Sequence, residues 1–132
     1  MAEQEHHAEL IKGIAEQMKI LLKESKEAIY IYFDDAHKVC NKKFADLLGY
    51  KSPKAWADAE VPLSDVLEED QQKVINAYMN ASEKGVAGSI NVKMQNIKTG
   101  EIQKINMIIA PTIYEGHIFT VHFFSKIWGF LK

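Results

Sequence analysis

A single cysteine, Cys40, occurs in the 132 residues, so no internal disulfide can staple the fold. Nowhere does an apolar run approach the about 18 residues that a membrane-spanning helix needs, and the charged, apolar and small-residue blocks of a secretory leader are missing at the N-terminus. A cytoplasmic protein with no membrane partner is expected. An excess of one charge is missing too. Sixteen Lys and Arg stand against 18 Asp and Glu, interspersed, for a net charge of −2, which leaves no basic stripe for nucleic acid or an anionic surface. Prolines are only three, Pro53, Pro62 and Pro111, and neither a low-complexity segment nor an internal repeat divides the chain. No Ser-His-Asp order, phosphate-cradling glycine loop or carboxylate pair on one helix face is visible, so no enzyme is expected. What is present, 47% apolar residues over this length, suffices for one domain with a real core.

Hydrophobic periodicity then organises the chain. From about Glu3 to Glu24 the residues Ile11, Ile14, Ala15, Met18, Leu21 and Leu22 recur at three and four, one face of an amphipathic helix, with Lys12, Glu16, Lys19 and Lys23 mostly on the other. "AIYIYF" at 28 to 33 is β-branched and aromatic, "DDAH" at 34 to 37 has turn composition, and "KVC" resumes an extended run, which together read as a β-hairpin. Asn41 opens "NKKFADLLGY", a short helix with Phe44, Leu47 and Leu48 on one side and Gly49 placed as a left-handed cap. Pro53 and Pro62 break the next stretch into turns. Glu68, Glu69 and Asp70 start a longer helix with the stripe Val74, Ala77, Tyr78 and Ala81, closed by Lys84 and Gly85. Three alternating strands follow, carrying Ile90, Val92 and Met94, then Ile105, Met107 and Ile109, then Phe119, Val121 and Phe123, with turns at Lys98-Thr99-Gly100 and Glu115-Gly116.

Taken in order, the hairpin, the asparagine opening "NKKFADLLGY", the acidic "EEDQQKV" and the three strands with turns at "KTGE" and "EGH" resemble a PAS (Per-ARNT-Sim) domain over about residues 26 to 126. The resemblance implies an α+β fold: a five-stranded antiparallel sheet in order 2-1-5-4-3, short helices cupped over one face, and a pocket between them. The expected layout is an N-terminal amphipathic helix at 1–25 for capping or dimerisation, the PAS domain at 26–126, and a tail or linker start at 127–132. The implied function is a sensor or interaction module in signal transduction, binding a small ligand or a partner in or near its cavity and signalling through dimer packing. A ligand-free dimerisation scaffold is the alternative within the fold. A small α+β pocket enzyme, isomerase-like or dehydratase-like, is the alternative outside it and would need a different strand order. In the PAS reading Asn41 and Gly49 are structural, with Asn41 bonding the backbone where strand gives way to helix.

Cofactor classes known in such domains leave marks that this chain lacks. Haem-binding members supply a histidine from the longer helix, and "EEDQQKVINAYMNASEKG" contains none. Flavin photosensors carry a cysteine within an asparagine-cysteine-arginine stretch, whereas Cys40 is followed by Asn41-Lys42-Lys43, and a single cysteine cannot form the C-x-x-C-H of covalent haem. Neither cofactor is expected, the purified protein should be colourless, and an unidentified small ligand is left open. Alternation places Ile29, Ile31, Phe44, Leu47, Leu48, Val74, Tyr78, Val92, Met94, Ile105, Met107, Phe119, Val121 and Phe123 toward the cavity. The pocket candidates among them are Ile31, Phe44, Leu48, Val74, Tyr78, Met94, Met107, Phe119 and Val121. Tyr78 offers a hydroxyl, Met79 and Met94 offer adaptable surface, and filled core is the alternative.

No metal site is expected. His6 and His7 are neighbours on a helix and point about 100° apart, His37 sits in a turn, and His117 and His122 fall on opposite strand faces, so all read as surface or satisfied hydrogen bonds. Cys40 reads as structural and Asp34-Asp35 as a solvated turn. The remaining sheet face would carry Tyr30, Tyr32, Ile108, Ile118 and Phe124, too much apolar surface to leave wet. The expected cover is a homodimer interface of Ile11, Ile14, Met18 and Leu21 with Tyr30, Tyr32, Ile118 and Phe124; a signalling partner protein is also compatible.

Overall fold

The N-terminal periodicity becomes two helices rather than one. α1 (Ala2–Gln17) ends at Met18, whose φ of −96° and ψ of 13° interrupt the helix before α2 (Lys19–Glu24) resumes it. The computed structural model describes residues 2 to 127, so most of the expected tail, residues 128 to 132, lies outside the described residues. After α2 come β1 (Ala28–Asp34), β2 (His37–Cys40), α3 (Lys42–Leu48), α4 (Pro53–Ala57), a 3₁₀ turn (Pro62–Asp65), α5 (Glu68–Lys84), β3 (Gly88–Gln95), β4 (Ile102–Tyr114) and β5 (His117–Lys126). The five strands form one antiparallel sheet in the order β2-β1-β5-β4-β3, the order that the PAS resemblance implies.

Register decides which side chains meet the helices. Tyr30 lies opposite His122, His122 opposite Ile109, and Phe124 opposite Met107, so these residues share one face with Val92, Met94 and Ile105. That inner face packs under α3, α4 and α5 against Phe44, Leu48, Trp56, Val74 and Ala81. On the other face Ile29, Ile31, Phe119 and Val121, with Phe33 and Phe123 beside them, pack against Leu10, Ile11 and Ile14 of α1 and against Met18, Leu21 and Leu22. The amphipathic stripe is therefore spent within its own chain. Each large aliphatic side chain fully buried there contributes roughly 1.5–3 kcal/mol. Gly13 permits the close approach of α1 to β4, since a Cβ added to it would stand 2.0 Å from the Tyr114 hydroxyl.

This corrects the expected facing of two strands. Ile29, Ile31, Phe119, Val121 and Phe123 point away from the cavity, and Tyr30, Tyr32 and Phe124 point toward it, the reverse of what alternation suggested. Both faces of β1 are covered, so its apolar residues carry no polarity to read. In β5 the polar Thr120 and His122 lie on the inner face, so the drier set Phe119, Val121 and Phe123 belongs under α1. For β3 and β4 the expected register holds, with Val92, Met94, Ile105 and Met107 inward. Ile108 and Ile118 remain exposed. With Ile14 only 1% and Ile11 8% exposed, neither has surface left for a partner in this conformation.

Candidate functional site

The site begins at the junction that Asn41 makes. Its Oδ1 accepts from the Phe44 amide at 3.0 Å as a helix N-cap and from the Ile29 amide at 3.1 Å, while its Nδ2 donates to the Glu27 carbonyl at 2.9 Å. One buried amide thus ties the start of β1 to the start of α3. At the other end of α3, Gly49 adopts φ +82°, and a Cβ there would sit 2.3 Å from Asn96 Oδ1. Asn96 Nδ2 and Gln103 Nε2 both donate to the Leu47 carbonyl, and the Ile97 amide donates to the Leu48 carbonyl at 2.8 Å, so the β3–β4 turn caps the helix C-terminus. Pinned at both ends, α3 holds Phe44 over the sheet.

α5 closes the opposite wall. The Leu67 amide donates to the Lys93 carbonyl, the Lys93 amide donates to Asp70 Oδ2 at 2.7 Å, and the acidic first turn meets the positive end of the helix dipole. Between α3, α5, the 3₁₀ segment and the sheet lies a cavity of about 240 Å³. Its sheet wall is Tyr30, Tyr32, Met94, Met107 and His122; its helix wall is Phe44, Val74, Ile75 and Tyr78; Val61, Pro62, Leu63 and Val66 form a third side and Asp35 stands at the edge. At about 30 Å³ for each water of bulk liquid, the volume equals about eight waters, below the roughly 300–1,000 Å³ of drug-sized sites. That is space on the scale of a single-ring molecule.

The polar groups of the cavity are mostly uncharged. His122 is 2% exposed, stacks on Tyr30 with ring centroids 4.1 Å apart, and shares a 2.9 Å hydrogen bond between Nε2 and Thr120 Oγ1. Burial lowers its pKa to about 3, so the imidazole is neutral at ordinary pH, and its Nδ1 is buried without a hydrogen-bond partner. Tyr30 is raised above the ordinary phenol value by burial first and by Asp65 and Asp35 next; Tyr32 is raised by burial and by its 2.5 Å hydrogen bond to Asp35 Oδ1. Behind the wall, Asp65 is 4% exposed and accepts from the Tyr50 hydroxyl at 3.0 and 2.9 Å, and burial still lifts its carboxyl to about 6. Lys38 is buried with its ammonium donating to the carbonyls of Asp35, Ala57 and Ala59, which ties the β1–β2 turn to the end of α4. Cys40 is buried and its thiol pushed up to about 12, an inert structural position. Among the described residues no lysine or arginine lines the cavity, so it offers no counter-charge to an anion.

Of the pocket candidates read from the sequence, Phe44, Val74, Tyr78, Met94 and Met107 line the cavity, Leu48 lies in the core behind it, and Ile31, Phe119 and Val121 lie across the sheet under α1. Met79 is exposed. Tyr30, Tyr32, Asp35 and His122 line it as well, beyond the alternation-based set; a strand whose polar residues share one face with aromatic hydroxyls is the pattern of a cavity wall rather than a dry core. His6, His7, His37 and His117, each read as isolated, gather at the sheet end where β1 runs out.

Comparison with solved structures supports the fold. The PAS domain of an HTR-like protein from Haloarcula marismortui superposes with a TM-score of 0.66 at 13% identity, covering 96% of this chain and 100% of that one. A PAS domain from a two-component sensor histidine kinase gives 0.64 at 14% identity, over 88% and 98% of the two chains. The Rhodobacter sphaeroides LOV protein gives 0.72 at 10% identity, over 90% of this chain and 69% of that one. No protein-family model and no curated protein matches the sequence. The chain has the PAS fold, and its strand order is not the one that the pocket-enzyme alternative required. Among the described residues no helix is long and apolar enough to cross a membrane.

Proposed function

We propose that the chain is a PAS-type sensor module of signal transduction whose cavity takes a small, uncharged, single-ring molecule. The observation that carries the reading is His122: a neutral, buried imidazole in the cavity wall with Nδ1 unsatisfied, flanked by aromatic faces. A buried polar nitrogen without a partner costs about 1–3 kcal/mol, and a ligand that bonds it recovers that cost as affinity. Tyr30, Tyr32, Phe44 and Tyr78 supply ring faces for stacking, while the absence of a lining cation disfavours carboxylates and phosphates. The likeness to a PAS domain from a two-component sensor histidine kinase supports a signalling role, with output passed to a partner protein or a second copy.

Phenol, one ring with a hydroxyl that can donate to His122 Nδ1, serves as the probe. On titration into the purified protein, followed by NMR, it should move the resonances of His122, Met94 and Met107 together, and Val74→Trp, which fills the cavity, should abolish the response. A wild-type spectrum unchanged at millimolar phenol sinks the reading in favour of a ligand-free scaffold. Native mass spectrometry of freshly purified protein gives bound mass and subunit count in one measurement. Homodimerisation is retained in the proposal, though not through Ile11 and Ile14, which the chain's own sheet covers.

A further inference from the structure

Four of the five histidines meet at one end of the sheet, brought from α1 and from the first residues of β2 and β5. Asp34 and His37 face each other across the hairpin, with His37 Nδ1 2.7 Å from Asp34 Oδ1. His7 of α1 packs its ring edge-on to Phe33 and to His37, at centroid separations of 4.7 and 5.5 Å, and its Nδ1 stands 3.4 Å from Asp34 Oδ2. That Nδ1 is buried and makes no hydrogen bond. A solvated surface histidine has no such orphan, because water would satisfy it. One ligand atom from each of His7, Asp34 and His37 lies within 4.8 Å of the other two.

We propose that His7, Asp34 and His37 form a site for a divalent transition-metal ion of the zinc class, with water completing its coordination. Two imidazoles and a carboxylate are a donor set such ions accept, with metal–nitrogen distances of about 2.0–2.1 Å and metal–oxygen distances of about 2.0–2.2 Å. Two tetrahedral ligands at those lengths stand about 3.3–3.4 Å apart. The separation of His7 Nδ1 and Asp34 Oδ2 already has this value at 3.4 Å. The Asp34–His37 contact runs through the other oxygen, Oδ1, at 2.7 Å, so the half-exposed carboxylate must rotate to give the ion one oxygen and open that contact by about 0.6 Å. Ligation through Nδ1 leaves each ring proton on Nε2, and the ion takes up the orphaned nitrogen of His7. One ligand comes from α1 and two from the hairpin, so the ion clamps the helix that covers the outer sheet face. The adjacent His6 and His117, with Nε2 atoms 3.4 Å apart, offer two nitrogens and no carboxylate, and serve as an internal control.

The test uses the full chain, stripped with EDTA, exchanged into chelator-free buffer and titrated with ZnCl2 by calorimetry and by two-dimensional NMR of the imidazoles. One ion should bind at this site, moving the His7 and His37 resonances together and leaving His122 in place. His7→Ala and His37→Ala should each weaken that binding by at least about tenfold, the scale on which even outer-shell partners act, while His6→Ala with His117→Ala should leave it within about twofold. Resonances of His7 and His37 that stay still or shift independently overturn the proposal, as do single variants that bind like wild type. Because the NMR reading needs only the wild-type chain, it decides the matter even if a variant folds poorly.

Discussion

Acid stability should be set by two buried groups that pull in opposite directions. His122 ordinarily titrates near 6.5 but is held to about 3 in the fold, so between those values the unfolded chain binds a proton that the native chain refuses. Its contribution is full above pH 6.5 and is lost as pH falls toward 3, at about 1.4 kcal/mol per pH unit, or about 2 kcal/mol by pH 5. Asp65 behaves inversely. Its carboxyl is lifted from 3.8 to about 6, so the native chain holds a proton that the unfolded chain releases, and its contribution is present below 3.8 and lost as pH rises through 6. Between about pH 4 and 6 the two slopes oppose each other and the wild type should change little from this pair. The assay is urea unfolding at half-unit steps from pH 4 to 7.5, with EDTA present. Asp65→Asn, which keeps an acceptor for Tyr50, should unmask the histidine, with stability falling by about 1.4 kcal/mol per unit below pH 6. His122→Gln should unmask the aspartate, with stability rising as pH falls from 6 to 4. If both variants run parallel to wild type, neither group is buried in the state described.

Asn41→Ala removes an N-cap and strands the Ile29 amide and the Glu27 carbonyl, and should cost about 2–4 kcal/mol in urea unfolding. Gly49→Ala and Gly85→Ala both impose a side chain on a left-handed cap, at φ +82° and +69°, for about 1–2 kcal/mol each. Only Gly49→Ala also drives a Cβ into Asn96, so its thermal midpoint should fall clearly further than that of Gly85→Ala, where an added Cβ meets no atom of another element within 4 Å. Ile14→Asp places a charge in the α1–sheet core and should destabilise by more than about 3 kcal/mol, with Lys12→Asp near neutral. In sedimentation, a folded Ile14→Asp chain that merely changes from dimer to monomer would contradict the burial of that residue within one chain.

The sequence was legible wherever one chemical signal had one structural meaning. Asn41, Gly49 and Gly85 announced their helix ends because capping chemistry is local, and β3 and β4 showed their facing because Lys93, Gln95 and Lys104 leave only one side dry. β1 and β5 were not legible in the same way. A strand covered on both faces offers two apolar sets, and alternation ranks them by dryness, whereas the cavity wall is the wetter of the two. Alternation therefore puts Tyr30 and Tyr32 on the outer face and gives His122 no place, whereas all three line the cavity. The histidine cluster was invisible for another reason: His7, His37 and His117 are joined by the docking of α1 and by hairpin geometry, and no spacing along the chain encodes either.

A partition one residue thick has a cost in the lengths that the chain can take. In β1, Tyr30 and Tyr32 belong to the cavity and Ile29 and Ile31 to the α1 interface, so inserting or deleting one residue within the strand exchanges the two sets and spoils both at once. β5 carries the same double frame. The β3–β4 turn is no freer, because Asn96 is wedged against Gly49 and bonded to Leu47. Length variation is left to the Glu115–Gly116 turn and to the segment around Gly85, where a Cβ added to either glycine would meet no atom within 4 Å. Relatives of this chain, and libraries built on it, should therefore differ in length at those two places while keeping β1 and β5 at constant length.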